Sequence, residues 1–272
     1  MSNFEVDHHR CDVLVIGGGL AGTWAAIRAR EFTGDVIVVE KAKVARSGQS
    51  TFAAGVMLAP RHDDDLDAWQ REIVESGEYL NDQDWVSAML HEQPDRIEEL
   101  AAWGVPFERD ADGAITRVVG RGHKTTRLLM FHGPEFMRVM REQALKRGVR
   151  LVERVQIIDL LTDDGCLPTR GRVCGAIGID TRTGRLQVFK ARAVVVATGG
   201  VQGKGRFFAG NLTGDGIGMA YRAGAELHGM EFAIAVGGWM FERKYFIQGM
   251  NMFQNKGALM INRHGQRYME KY

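Results

Sequence analysis

Asp12-Val-Leu-Val-Ile16, Gly17-Gly18-Gly19-Leu20-Ala21-Gly22 and, after an alanine-rich stretch, Asp35-Val-Ile-Val-Val-Glu40 open the chain. In that order they read as strand, tight turn, helix, second strand and acidic residue. Each part has a task in holding a dinucleotide: Gly17 permits the tight turn, Gly19 lets the backbone approach a pyrophosphate, and Gly22 lets the helix pack close to the strand. A helix starting near Leu20 aims its free N–H groups at the phosphates. Glu40 ends the second strand, where a carboxylate hydrogen-bonds adenosine ribose hydroxyls. A lone G-x-G-x-x-G fits many glycine-rich loops. Here strand, helix and acid fall in register, which predicts a dinucleotide site.

The 272 residues are 45% hydrophobic, enough for one large or two modest domains. Thirty-five Lys and Arg nearly balance 34 Asp and Glu, so no overall field favours nucleic acid or an anionic membrane. Apolar runs such as Ala193-Val-Val-Val-Ala197 are too short to span a bilayer, so no membrane insertion is expected. The first ten residues carry neither a signal-peptide core nor a twin-arginine pair, which makes the cytoplasm the expected compartment; His8 and His9 are read as preceding the fold. Cys11, Cys166 and Cys174 lack C-x-x-C spacing, against an iron–sulfur, zinc or disulfide framework within this chain; they are expected in the core or in strands.

Residues 41–60 are rich in Gly, Ser, Thr and Ala, as suits a loop folding over a ligand rather than a packed element. Helices are predicted over 65–77 and 82–103, the latter closed by Gly104, with the acidic trio Asp63-Asp64-Asp65 favouring the macrodipole. A short strand over 115–119 and a helix over 134–147, ended by Gly148, come next. Residues 149–155, 156–161, 172–179 and 186–189 then read as a meander of short strands, followed by a separate parallel strand at 193–197 and a helix at 217–223.

Four segments resemble the flavoprotein subunit of the succinate dehydrogenase and fumarate reductase superfamily, which includes L-aspartate oxidase and the alpha subunit of adenylylsulfate reductase. They are the Gly17–Gly22 turn with Glu40-Lys41, Arg46-Ser47-Gly48 before Ala53-Ala54-Gly55, Ala197-Thr198-Gly199-Gly200, and Thr213-Gly214-Asp215-Gly216 leading to Met230-Glu231-Phe232. The resemblance implies an α/β fold: a Rossmann-like FAD-binding domain over residues 1–235 with an inserted β-meander and helices, then the start of an α+β capping domain at 236–272. It implies FAD held by Gly17, Gly18, Gly19, Leu20, Ala21, Gly22, Glu40, Lys41, Ser47, Gly48, Ser50, Val155, Ala197, Thr198, Gly199, Gly200 and Asp215. Respiratory members attach FAD through a histidine in a Ser-His-Thr context. This loop reads Arg46-Ser47-Gly48-Gln49-Ser50-Thr51, so non-covalent FAD is expected.

The family's shared chemistry is hydride exchange between flavin and a small anionic substrate, which implies an FAD-dependent oxidoreductase acting on a dicarboxylate of the fumarate or succinate kind. Arg121, His123 and Arg127, with Lys124, form the densest basic cluster and are the candidate catalytic residues; a solvated basic loop is the alternative. No metal site is expected. Lys41-Ala-x-x-x-Arg-Ser-Gly48 and Phe131-His132-Gly133 look more like the adenylylsulfate reductase branch, which would need an iron–sulfur partner. A flavin-binding module without turnover is a third reading. Family members are considerably longer, so the chain is expected to correspond to an N-terminal portion.

Overall fold

Val6–Ile16 forms β1, and it begins well before the apolar run that announced it. The computed structural model describes residues 5–53, 55–120, 122–201, 212–232, 239–241, 245–247 and 257–267. The chain divides into two compact units, one of residues 1–53 with 133–234 and the other of 54–132 with 235–272.

In the first unit β1 runs parallel to β2 (Val36–Glu40) on one side and to β9 (Leu186–Val196) on the other. The β1–β9 register extends from Val6 against Leu186 to Ile16 against Val196. Two expectations change here. His8 and His9 lie within the sheet, where the His9 ring stacks on Phe189 at 4.5 Å and bonds Gln187 at 2.8 Å. The strands expected at 186–189 and 193–197 are one strand, because alternation continues through Lys190 and Arg192, whose exposed positions fall on the face opposite Phe189 and Ala191.

α1 (Leu20–Ala29) follows the glycine turn, and a short α2 (Gln49–Phe52) packs near α5 (Gly133–Lys146). β6 (Arg150–Glu153) pairs parallel with β2, so it is the outer strand of the parallel sheet and not the first of the meander. Arg154, with φ +64°, breaks the chain between β6 and β7 (Val155–Thr162). β7, β8 (Val173–Asp180) and β9 form the antiparallel meander, giving the order β6-β2-β1-β9-β8-β7. α6 (Asp215–Ala223) sets Met219 against Leu14, Ile16, Ile37, Val39, Ile157 and Phe189. Each such side chain contributes about 1.5–3 kcal/mol on full burial. Cys11 joins this core, and burial pushes its thiol up to about 11. Cys174 lies in β8, whereas Cys166 is exposed in a turn, outside core and strands.

The second unit contains β3 (Val56–Leu58), α3 (Leu66–Ser76), α4 (Gln83–Ala102), β4 (Val118–Val119) and β5 (Arg127–Met130), with β3, β5 and β4 adjacent in one antiparallel sheet. β10 (Trp239–Phe241) pairs antiparallel with β11 (Tyr245–Ile247). Asp65 caps α3 by accepting the Ala68 N–H at 3.0 Å, and Asp64 pairs with Arg117. Gly104, at φ +94°, closes α4: its N–H reaches Ala101 O at 3.0 Å and the Val105 N–H reaches Leu100 O at 3.0 Å, a Schellman ending. Residues 41–60 are not a plain loop, since they carry α2 and β3 and bury Val44, Ala45 and Ala59. The predicted strand over 115–119 shrinks to β4.

Candidate functional site

The glycines of the opening turn differ in what surrounds them. Gly17 has φ +109°, and a Cβ there would lie 2.3 Å from the Ala197 carbonyl oxygen. A Cβ on Gly22 would lie 1.8 Å from the Gly17 carbonyl oxygen, so only glycine lets α1 approach the end of β1. Gly18 has a task that its sequence motif does not reveal: a Cβ would come within 2.8 Å of Val44 Cα, and its carbonyl accepts the Ala45 N–H at 2.8 Å. At Gly19 a Cβ would meet only Ser50 Oγ, at 3.5 Å. The same Ser50 Oγ accepts the Leu20 N–H at 3.1 Å. Among the described residues the N–H groups of Gly19 and Ala21 take no partner. The turn therefore presents backbone donors and no side chain on its Gly19 face.

Glu40 braces this turn, accepting the Gly18 N–H at 2.7 Å and the Ala42 N–H at 3.1 Å. Each oxygen retains a second lone pair for a ligand hydroxyl. The next residue reaches α6: Lys41 Nζ lies 2.9 Å from Thr213 Oγ1 and 3.2 Å from Asp215 Oδ2. Gly214, at φ +75°, precedes Asp215 at the start of α6. Burial pushes the Asp215 carboxyl up, but hydrogen bonds from Thr213 and Lys41 outweigh it and hold it below the usual carboxylate range. Asp215 is thus an anion with acceptor capacity to spare.

The segment between Lys41 and Ser50 is held from below by a carboxylate. Glu153 bonds Lys43 Nζ at 2.5 Å, Arg141 Nη1 at 2.7 Å and the Val44 N–H at 3.2 Å, while Arg141 also reaches Val44 O at 2.8 Å. Burial raises the Glu153 carboxyl, and the bonds from Lys43 and Arg141 more than reverse it. Ser47 serves the same segment, donating to Lys43 O at 2.7 Å and accepting its N–H at 3.1 Å.

These parts surround a cavity of about 400 Å³ at the carboxyl ends of β1, β2 and β9. Of the expected cofactor residues, Gly17, Gly18, Gly19, Leu20, Ala21, Glu40, Lys41, Ser47, Gly48, Ser50, Val155, Ala197, Thr198, Gly199 and Asp215 line it. Gly22 and Gly200 stand outside its lining: Gly22 packs α1, and a Cβ at Gly200 would meet nothing within 4 Å. Sequence reasoning missed Gln49, Gln156, Leu212 and Leu227 in the lining. Gln49 and Gln156 each adjoin an expected residue, which was the available signal. A Cβ-free face, unpaired N–H donors, two carboxylates and a lysine suit a dinucleotide cofactor.

The basic cluster belongs to the second unit. Arg121 lies outside the described residues. His123 Nδ1 bonds Thr126 Oγ1, and Arg127 Nη1 donates to the carbonyls of Lys124, Thr125 and Thr126 at 2.9, 2.7 and 3.0 Å. Glu72 of α3, which sequence reading did not single out, ties this loop down. One of its oxygens accepts the Lys124 N–H at 2.8 Å and the Thr126 hydroxyl at 3.0 Å; the other accepts the Thr125 and Thr126 N–H groups at 2.5 and 3.1 Å. Burial pushes its carboxyl up, and these donors bring it down to about 2. No sequence signal links residues so far apart. Among the described residues, no helix is long and apolar enough to cross a membrane, and no cluster of metal-binding side chains occurs.

Comparison with known proteins matches residues 12–272 to the family described as FAD binding domain. The fumarate reductase flavoprotein subunit of Mycobacterium tuberculosis is 33% identical over 96% of this chain and 45% of its own length. A solved E. coli quinol fumarate reductase variant superposes with a TM-score of 0.85 at 26% identity, over 98% of this chain and 46% of that one. Adenylylsulfate reductase from Archaeoglobus fulgidus gives 0.69 at 28% identity, over 81% and 37%. The chain spans about half the length of the curated relatives it matches. Turn, cavity and match agree: the chain belongs to the FAD binding domain family, and FAD is its cofactor.

Proposed function

We propose that the cavity of the first unit holds FAD non-covalently and that the chain is part of a cytoplasmic FAD-dependent oxidoreductase. It exchanges a hydride with a small dicarboxylate of the fumarate or succinate kind and passes electrons to an iron–sulfur subunit. In this reading residues 1–235 make up the cofactor domain and 236–272 open a capping domain. The open face of Gly19 is the observation that carries the reading, since it is the one place in the turn where a Cβ meets no backbone or core atom.

Bound flavin supplies the hydride chemistry. The chain's own groups bind and orient. The N–H groups of Gly19 and Ala21 take phosphate oxygens, and the Lys41 ammonium offsets their charge. Glu40 and Asp215 accept sugar and ribityl hydroxyls. Arg121 and Arg127 hold the substrate's carboxylates, and His123 moves a proton. The likeness to quinol fumarate reductase over 98% of the chain favours a dicarboxylate. A second reading, with adenylylsulfate as substrate, draws on Lys41-Ala-x-x-x-Arg-Ser-Gly48 and Phe131-His132-Gly133.

The test is a visible absorption spectrum of the chain incubated with FAD and desalted, repeated on the supernatant after acid precipitation. Flavin that stays with the protein and is then released by acid is the expected result. Flavin remaining in the pellet refutes non-covalent binding, and a colourless desalted protein refutes the cavity as a self-sufficient site.

A further inference from the structure

The Thr126 hydroxyl has one proton and two lone pairs, and its neighbours decide how they are used. Thr126 is fully buried. Its Oγ1 lies 3.0 Å from Glu72 Oε1 and also contacts His123 Nδ1. Glu72, held down at about 2, is ionised at neutral pH and can only accept. The hydroxyl proton therefore goes to Glu72. Thr126 Oγ1 can then meet His123 Nδ1 only as an acceptor, so Nδ1 must carry a hydrogen. Glu72 Oε1 lies 3.6 Å from the same nitrogen, beyond hydrogen-bond distance, so the carboxylate acts on the ring through the hydroxyl.

The loop fixes the ring by other means too. The His123 backbone N–H bonds Gly120 O at 3.1 Å, and a Cβ at Gly120 would fall 2.5 Å from His123 Cδ2, so glycine leaves the ring its place. Among the described residues Nε2 takes no hydrogen bond. An isolated imidazole prefers its single proton on Nε2; here the partner of the other nitrogen sets the tautomer.

We propose that Glu72 and Thr126 are positioning residues: acting through the hydroxyl, the carboxylate holds neutral His123 as its Nδ1–H tautomer and leaves Nε2 as the proton-accepting nitrogen. The chain is carboxylate, hydroxyl, imidazole, in which the Thr126 hydroxyl proton and the Nδ1 hydrogen each have an acceptor. That Nε2 serves a substrate rests on the proposed dicarboxylate reading; the tautomer does not.

The test is ¹⁵N NMR of the His123 ring in the FAD-loaded chain at about pH 9, above the ordinary imidazole value of about 6.5. The wild type is expected to show Nδ1 protonated and Nε2 bare. Thr126→Val, which keeps the shape and removes the hydroxyl, is expected to move the majority to Nε2–H, and Thr126→Ser to retain the wild-type pattern. A wild type already in the Nε2–H form overturns the proposal without any variant. So does a Thr126→Val protein that keeps Nδ1–H. Adding malonate, a dicarboxylate, separates the two claims: a wild-type Nδ1–H signal whose Nε2 shift ignores malonate keeps the tautomer and removes the substrate role.

Discussion

Replacing Glu72 by glutamine removes a charge while keeping the side chain's size, and the expected cost follows from its four bonds. Its carboxyl sits at about 2 against an ordinary 4.5. The side chain is only 15% exposed, so solvent screening takes little from its interactions. A folded-state value that far below the unfolded one stabilises the fold by about 3 kcal/mol at neutral pH. Because the value is depressed, this contribution is fully present above about 4.5 and is lost as the pH falls through about 2. Glutamine offers one acceptor oxygen and turns an NH₂ toward groups that are themselves donors, so it recovers only part of the interaction. Urea unfolding followed by tryptophan fluorescence suits the measurement, since Trp69 is buried in α3 three residues before Glu72. Glu72→Gln is expected to lose about 2–3 kcal/mol at pH 7, and the difference from wild type to shrink by about 1 kcal/mol by about pH 3.5. A difference equal at both pH values, or under about 0.5 kcal/mol at pH 7, would refute the role assigned to the carboxylate.

Other substitutions separate cofactor binding from folding. Gly19→Val is expected to leave the urea midpoint near wild type yet weaken FAD retention by about 100-fold or more, because its side chain enters space meant for a pyrophosphate; wild-type retention after desalting would remove the phosphate site from this turn. Gly22→Ala should cost about 1–3 kcal/mol of stability, since its Cβ collides with the Gly17 carbonyl, and an unchanged unfolding curve would contradict the close approach of α1. Glu153→Gln should release Lys43 and Arg141 together, costing about 1–3 kcal/mol and weakening FAD binding in equilibrium titration. Unaltered binding and stability would show the segment after Lys41 to be held by something else.

The parts legible in the sequence were those whose cause is local. The glycine turn, the helix starts near Asp65 and Asp82, and the endings at Gly104 and Gly148 each follow from residues within one turn of chain. Long-range consequences were hidden. Asp7, His9 and Arg10 look like a polar leader because that part of β1 has only its pairing with β9 to mark it as strand. Lys190 and Arg192 broke an apolar run that, read at a period of two, is continuous. The four residues of β5 are too few to show a period. Most of the cavity was foreseen because family motifs marked its walls. Glu72 was not, because nothing about an acidic residue on a helix shows that a loop more than fifty positions onward will bring it three N–H groups.

The pairing of β1 with β9 sets a timetable for the nascent chain. Asp7 and Gln187 bond across 180 residues of sequence, and Gly17 rests on the carbonyl of Ala197. At about 5–20 residues per second, a ribosome leaves β1 without its partner on that side for on the order of 10–40 s. During that interval Leu14, Val15 and Ile16 form an apolar segment with an open edge, the kind of template on which chains aggregate. The charged and histidine-bearing residues at the start of β1 flank it and act as gatekeepers. The cofactor turn, first to be made, is among the last parts of its unit that can close.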